Sequence, residues 1–389
     1  MTFKIAIAGA GPAGCMCACN LDKSFDITLF DKSSPLKTLL PTGGGKCNLA
    51  HAEYDFKELA KNYPRGEKFL YSAFSRFGTQ DTIDFFENIG VQTYTREDNR
   101  VFPISESSKV VRNKILAKLH HCKFVNEEVN KIKKIDNGFE LTTNKASYFF
   151  DFIIVSTGGK NGYKLLSNLG HNYETPCPSL VGLKTKENFK DLQGITIKNC
   201  TITSEKNKFY GNLLFTDNGI TGPAVFELSS INARKNFPYK IKIDFLNKEI
   251  NWQELFDKNP RKNLENLLCD EFPKTFVHIM LSKNNIYTTQ KCCLIKSNTK
   301  VLVNKIFKEH EFEITGTRKD GEIVTCGGYN LNEFNPKTLE SKIIPRIYAC
   351  GEVLDFDGLC GGYNLQACWS TGKITAESIN SFSQKWLNE

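Results

Sequence analysis

Apolar and polar positions follow three different textures along the chain. Phe3 to Ala8 is a short apolar run that stops at a glycine turn, Ala13 to Leu21 follows with helical character, and Asp26 to Phe30 is a second apolar run. Strand, glycine turn, helix and strand in that order predict a βαβ unit. Residues 52 to 95 carry a helical period with Phe69, Phe74, Phe77, Phe85 and Phe86 on the expected buried face, and Lys109 to Leu119 predicts another amphipathic helix. Val125 to Thr142 reads as a hairpin turning at Asp136, Asn137 and Gly138. Phe149 to Val155 is almost continuously apolar, as a strand covered on both faces is, and Ser156 to Gly159 breaks it.

From about Ser179 the texture changes. Ile195 to Ile202, Phe209 to Leu214 and Tyr239 to Phe245 alternate with the short period of antiparallel strands, which predicts a second domain. Trp252 to Ser282 returns to helical period through Leu255, Phe256, Leu264, Leu267, Leu268, Phe276, Ile279 and Met280, predicting a small helical insert. Strands resume with Phe312 to Thr317 and Ile323 to Thr325. A third apolar strand, Ile347 to Ala349, runs into Cys350-Gly351-Glu352, and residues 364 to 386 read as a closing helix. The chain therefore leaves its first domain and comes back to it.

Composition narrows the class. With 389 residues the chain is long enough for a sizeable core, and 40% hydrophobic against 24% charged residues is ordinary for a globular protein. The net charge of +8 would attract a polyanion such as RNA, but the basic residues are scattered, as on a lysine-rich solvated surface. The 14 cysteines include no CxxC pair, which argues against zinc or thioredoxin chemistry, and no metal site is expected. Cys15, Cys17 and Cys19 read as small hydrophobes in a reducing cytoplasm. No apolar run reaches the roughly 18 residues of a membrane span, so no membrane partner is expected. Ile5 to Cys19 is interrupted by Gly9, Gly11, Pro12 and Gly14 and reads as structure rather than as a leader.

The first turn is a dinucleotide fingerprint: Gly9-Ala10-Gly11-Pro12-Ala13-Gly14 stands between a strand and a helix, and Asp31, followed by Lys32, closes the second strand. The first glycine makes the tight turn, the second lets backbone approach a pyrophosphate, the third lets helix pack on strand, and the helix N-terminus attracts the anion. Asp31 is placed to accept hydrogen bonds from ribose hydroxyls. FAD is favoured over NAD because no second GxGxxG exists for a separate pyridine-nucleotide domain and because two further turns resemble those of FAD-dependent oxidoreductases. These are Ser156-Thr157-Gly158-Gly159 and Ala349-Cys350-Gly351-Glu352.

Pro41-Thr42-Gly43-Gly44-Gly45-Lys46-Cys47-Asn48 fails as a Walker A loop, because Leu40 replaces the first glycine and Cys47 replaces the magnesium-binding hydroxyl. Its glycines allow backbone N–H groups to converge on an anion or on flavin ring edges, with Lys46 adding charge; a plain structural turn is the alternative. Cys47, beside Lys46 and free N–H groups, is expected to have a lowered pKa, suited to a redox thiol or to an acid that protonates a carbanion. A packing or flavin-contact role is the alternative.

Long blocks of sequence carry a family resemblance: TGGGKCN (42 to 48), NRVFPIS (99 to 105), STGG (156 to 159), SLVGLK (179 to 184), LLFTDNGITGPAVFELSS (213 to 230), TGTRK (315 to 319), VTCGGYNL (324 to 331), NPKTLESKIIPRIYACGEVLDFDG (335 to 358) and GGYNLQACWSTGK (361 to 373). With the fingerprint, they resemble the bacterial YhiN-like, or BaiN-like, FAD-dependent oxidoreductases, also labelled aminoacetone-oxidase-like. The resemblance implies an α/β fold, a Rossmann-like FAD-binding domain interrupted by an antiparallel β domain that carries a small helical insert. The expected divisions are 1–185 with 335–389 for the FAD domain, 186–250 with 299–334 for the β domain, and 251–298 for the insert. By position it implies cofactor contacts from Gly9 to Gly14, Asp31 and Lys32, Gly43 to Asn48, Val129, Thr157, Gly158, Gly351, Glu352, Gly361, Gly362, Tyr363, Asn364, Leu365 and Gln366. Two departures from the family pattern are Thr42 and Lys46 in place of Ser and Arg, and a shorter loop between Gly159 and Gly162.

The family's activities imply reduction of a carbonyl-conjugated C=C bond. The leading expectation is conversion of uridine to dihydrouridine in 23S rRNA or its precursor. The alternatives are a small-molecule reductase or amine oxidase, and a flavin-dependent RNA methyltransferase or RNA-binding flavoprotein. NAD(P)H is expected only as a transient electron donor.

Overall fold

The computed structural model describes residues 2–159, 162–318 and 324–387. The chain divides into two units, residues 1–177 with 324–389 and residues 178–323.

The first unit is built on a five-stranded parallel sheet. Its strands are β1 (Lys4–Ala8), β2 (Asp26–Phe30), β3 (Lys123–Val125), β4 (Phe152–Val155) and β5 (Ile347–Ala349), in spatial order β5-β4-β1-β2-β3. Ile5 lies opposite Phe152 on one side and Ile27 on the other, so β1 is buried on both faces, which is why it reads as an unbroken apolar run. The run from Phe149 to Val155 is not one strand. Asp151 divides it: the carboxylate accepts from the Lys4 amide at 2.8 Å, ending a hairpin strand, Ser147–Phe150, and starting β4.

Helix α1 (Pro12–Asn20) and helix α2 (Tyr363–Leu387) pack on each other through small residues. A Cβ on Gly372 would lie 2.4 Å from the Ala13 carbonyl oxygen, so the glycine permits the backbones to touch. Lys373 Nζ and Asn380 Nδ2 hold the far end, donating to Asn20 Oδ1 at 3.0 Å and Asn20 O at 2.9 Å. The expected helical stretch 52–95 is three helices, Phe56–Ala60, Glu67–Phe74 and Thr79–Asn88, with Phe74, Phe77 and Phe86 buried and Phe69 and Phe85 partly so; its end is not helical, because Thr93–Thr95 pairs as a strand with Arg100–Pro103.

The second unit is a closed antiparallel barrel of six strands in the order Leu183–Thr185, Gly219–Thr221, Asn207–Thr216, Thr196–Ser204, Tyr239–Asp244 and His310–Thr317. Closure leaves no unpaired edge. Ile202, Leu213, Phe215, Ile241, Ile243, Phe312 and Ile314 fill it. Helices Trp252–Lys258, Leu264–Leu268 and Lys274–Lys283 form the insert that the helical period predicts. Two further helices, Pro223–Ile231 and Ser297–Lys308, were not legible from the pattern. Ile323 of the expected strand and Lys319 of the TGTRK block lie outside the described residues; the strand starts at Val324 and pairs with Tyr173–Ser179. The α/β class expected from the sequence, with a Rossmann-like unit interrupted by an antiparallel one carrying helices, is the class observed.

Candidate cofactor site

The fingerprint glycines occupy three different environments. Gly9 has φ +108°, and a Cβ there would lie 2.3 Å from the Ser156 carbonyl oxygen, so only glycine turns the chain at the end of β1. A Cβ on Gly14 would lie 2.1 Å from the Gly9 carbonyl oxygen. A Cβ on Gly11 would meet only Thr38 Oγ1, at 3.7 Å. The first and third are thus forced by the protein's own packing, and the second is not. Gly11 caps α1 without any side-chain hydrogen bond, leaving the first N–H groups of that helix to whatever approaches it.

Around this turn the strand ends converge. Ser156 Oγ donates to the Gly9 carbonyl at 2.8 Å, binding the turn after β4 to the turn after β1. The Ala10 amide donates to Asp31 Oδ2 at 3.0 Å, while Asp31 Oδ1 accepts from the Ser33 amide and hydroxyl at 2.8 and 2.9 Å. Asp31 is therefore oriented with its carboxylate toward the fingerprint. A cleft of about 360 Å³ opens beside it, lined by Leu29, Ser33, Phe124 and Asn126. After β5, Gly351 has φ +74° and sits so close to α1 that a Cβ would lie 2.7 Å from Ala13 Cβ; Thr371 Oγ1 accepts from its amide at 3.0 Å.

The second cluster is the glycine triplet with the start of α2. Gly43, Gly44 and Gly45 all have positive φ, and a Cβ on Gly44 or Gly45 would meet nothing within 4 Å. Gly362 lies against Ala50–His51, the short strand that follows the triplet: a Cβ there would be 2.4 Å from the Ala50 carbonyl oxygen and 2.9 Å from Asn48 Oδ1. Asn364 holds the Gly358 backbone from both sides, accepting from its amide at 2.8 Å and donating to its carbonyl at 2.9 Å. Tyr63 donates to the Tyr363 carbonyl at 2.6 Å, and Gln366 Nε2 donates to the Gly78 carbonyl at 3.1 Å. Among the described residues, Asn48 Oδ1, Thr157 Oγ1 and Gln366 Oε1 are buried with no hydrogen-bond partner, a cost of about 1–3 kcal/mol each unless a ligand meets them. Gly158 also has φ +75° with open space at its Cβ position.

The remaining expected site residues have these surroundings. Lys46 reaches Glu106 at 2.6 Å and Lys32 reaches Glu128 at 2.8 Å, both near the surface. Cys47 is fully buried, hydrogen-bonds the Thr42 side chain and receives no contact from Lys46; burial pushes its thiol up to about 12. The expectation of a lowered pKa is overturned, because the neighbouring charge turns away to Glu106 and desolvation decides. Val129 opens the hairpin sheet opposite Thr143, partly buried, and Leu365 is likewise partly buried on α2.

Residues the sequence did not single out also shape the site. His51 stacks on Tyr363 with ring centroids 4.6 Å apart and Nδ1 3.1 Å from the Gly361 carbonyl. Arg65 forms a two-pronged ion pair with the fully buried Asp357, Nη2 to Oδ2 at 2.6 Å and Nε to Oδ1 closer still. Asp357 lay in the VLDFDG block, but nothing local pointed to an arginine so far away in sequence. Among the described residues no cluster of three or more His, Cys, Asp or Glu is arranged to hold a metal, and no helix is long and apolar enough to cross a membrane.

A parallel sheet entered through a glycine turn, with the carboxyl ends of its strands gathered round that turn, defines a Rossmann-type α/β protein. The chain belongs to the HI0933-like Rossmann family, whose model, described as "HI0933-like protein Rossmann domain", matches residues 3–378. It is 30% identical to the ribosomal RNA dihydrouridine synthase of Haemophilus influenzae, over 96% of this chain and 98% of that one. It is 26% identical to the 3-dehydro-bile acid delta(4,6)-reductase of Clostridium scindens, over 96% and 98%. Among solved structures, the 3-ketosteroid delta1-dehydrogenase of Sterolibacterium denitrificans shares the fold with a TM-score of 0.51 at 11% identity, covering 98% of this chain and 100% of that one.

Proposed function

We propose that the protein is an FAD-dependent oxidoreductase that saturates a carbonyl-conjugated C=C bond, and that its substrate is a uridine of large-subunit ribosomal RNA. The observation that carries the cofactor is the contrast between the glycines. Gly9 and Gly14 are forced by internal packing, whereas a Cβ on Gly11 would make only an ordinary contact with Thr38 and one on Gly44, Gly45 or Gly158 would meet nothing, with Asn48 Oδ1 and Thr157 Oγ1 buried and unpaired in the two loops that carry these last three. Backbone bared in this way fits a pyrophosphate at the α1 terminus, a ribose at Asp31 and a planar ring against Gly43 to Asn48 and the start of α2.

Uridine and dihydrouridine differ by two hydrogens across the C5=C6 bond, and a delta(4,6) designation likewise names C=C bonds. The two relatives' names thus share one chemistry. When bound, reduced flavin supplies the hydride to the electron-poor carbon. The chain's own part is to hold the ring and substrate in register and to give a proton to the neighbouring carbon. Burial holds Cys47 protonated, so it has a proton to give and is not a redox thiolate. NAD(P)H would serve as a donor that docks transiently.

The RNA reading draws support from the net charge of +8 and from the barrel, where Tyr210 is 58% exposed on the strand that carries exposed Lys208. An exposed tyrosine beside a lysine suits stacking with an unpaired base. The 26% identity to the bile acid reductase favours a second reading, a reductase of small enones. Two measurements separate them. The purified protein should carry the absorbance of bound flavin, and deleting the gene should abolish a dihydrouridine in large-subunit rRNA; an unchanged rRNA profile with flavin bound would leave the small-molecule reading.

A further inference from the structure

Strands Tyr173–Ser179 and Val324–Tyr329 form a two-stranded sheet of their own. A Cβ on Gly327 would lie 2.9 Å from Pro176 Cα, so these residues face each other, and the Cys326 side chain is hydrogen-bonded to that of Cys177. The two contacts step in opposite directions along the strands, as antiparallel partners do. Directly opposed residues in such a pair have Cα atoms about 4.5–5.5 Å apart, within the range that a disulfide spans. Cys177 is half-buried and Cys326 wholly buried, the arrangement of an accessible attacking sulfur with a shielded partner. The chain passes from the first unit to the second directly after Cys177 and re-enters the first at Val324.

We propose that Cys177 and Cys326 are a reversible peroxide-oxidised dithiol, a modification site that ties together the two places where the chain crosses between units. A hydroperoxide is the oxidant. Cys177 sulfur attacks its O–O bond, giving a sulfenic acid and releasing an alcohol or water; Cys326 sulfur then displaces hydroxide from the sulfenic sulfur, forming the S–S bond and releasing water. Two thiols are oxidised by two electrons in all, and the peroxide takes up those electrons and both thiol protons. The site does not rest on the identity of the enzyme's substrate.

The test is peptide mapping of the flavin-loaded protein under non-reducing conditions after treatment with hydrogen peroxide. The expected result is a cross-linked peptide containing Cys177 and Cys326, lost on adding dithiothreitol. In Cys326→Ser, Cys177 should stop at the sulfenic acid and be trapped by dimedone. Exposed Cys293 serves as the internal control for oxidant strength. Oxidation of Cys293 with Cys177 untouched, or oxidation of Cys177 in the unaltered protein without linkage to Cys326, would overturn the proposal.

Discussion

Gly14 faces the carbonyl oxygen of Gly9 so closely that a methyl group on it would stand 2.1 Å from that oxygen, while Gly11, between them in sequence, has room for one. Gly14→Ala should therefore cost about 2–4 kcal/mol of stability as helix α1 is pushed off β1. Gly11→Ala should leave the melting temperature of the flavin-free protein nearly unchanged and weaken flavin binding at least tenfold. Fluorimetric flavin titration beside thermal unfolding checks both. Equal flavin affinity for Gly11→Ala and the parent would remove the pyrophosphate from this turn.

Cys47 gives a second expectation. With its thiol raised to about 12, it should resist iodoacetamide at pH 8, and turnover should show no thiol titration between pH 6 and 9. Cys47→Ala should retain flavin while losing about 10²- to 10⁴-fold in kcat if this thiol is the proton donor. Full turnover in that variant would pass the role to another group.

Arg65 and Asp357 are coupled across the first unit, the carboxylate wholly buried. Arg65→Ala should cost about 3–5 kcal/mol because it strands a charge, whereas Arg65→Met combined with Asp357→Leu should cost much less. Urea midpoints of Arg65→Met, Asp357→Leu and the double variant, set against the parent, form the cycle; strict additivity would show the two side chains to be independent.

His310, half-buried and ringed by Phe189, Phe245 and Phe312, has its pKa pushed down to about 4 by desolvation. The folded protein takes this proton only near pH 4, the unfolded chain near 6.5, so the histidine's contribution is intact above 6.5 and lost as pH falls toward 4. Unfolding at pH 7 and pH 4.5 should show the parent losing up to about 3 kcal/mol more than His310→Gln. Equal losses would place the acid sensitivity elsewhere.

The fingerprint was legible because its demands are local. A turn after a buried strand needs glycine wherever backbone meets backbone, and Gly9 and Gly14 advertise that in six residues. The paired textures of barrel and sheet were legible for a similar reason, since Ile241 and Ile243 alternate with exposed Lys240 and Lys242. Helix Pro223–Ile231 is not legible in the pattern because nine residues burying Ala224, Val225 and Leu228 fit a buried strand as well as a helix. The burial of the Cys47 thiol is not legible locally, because its neighbour in sequence, Lys46, turns to Glu106 and is not its neighbour in charge. The Arg65–Asp357 pair joins residues 292 apart, and no local pattern announces such a partner.

The parallel sheet has a temporal consequence. β4 waits for β5, and α1 for α2, until residues beyond Ile347 have left the ribosome, while residues 178–323 can close their barrel earlier from strands that are all already present. During synthesis the flank of β4 and the inner face of α1 must stay uncovered across the making of an entire second domain. A nascent chain stalled before residue 347 should then hold a folded barrel and an unfinished Rossmann unit, making the candidate cofactor site the last part of the molecule to mature.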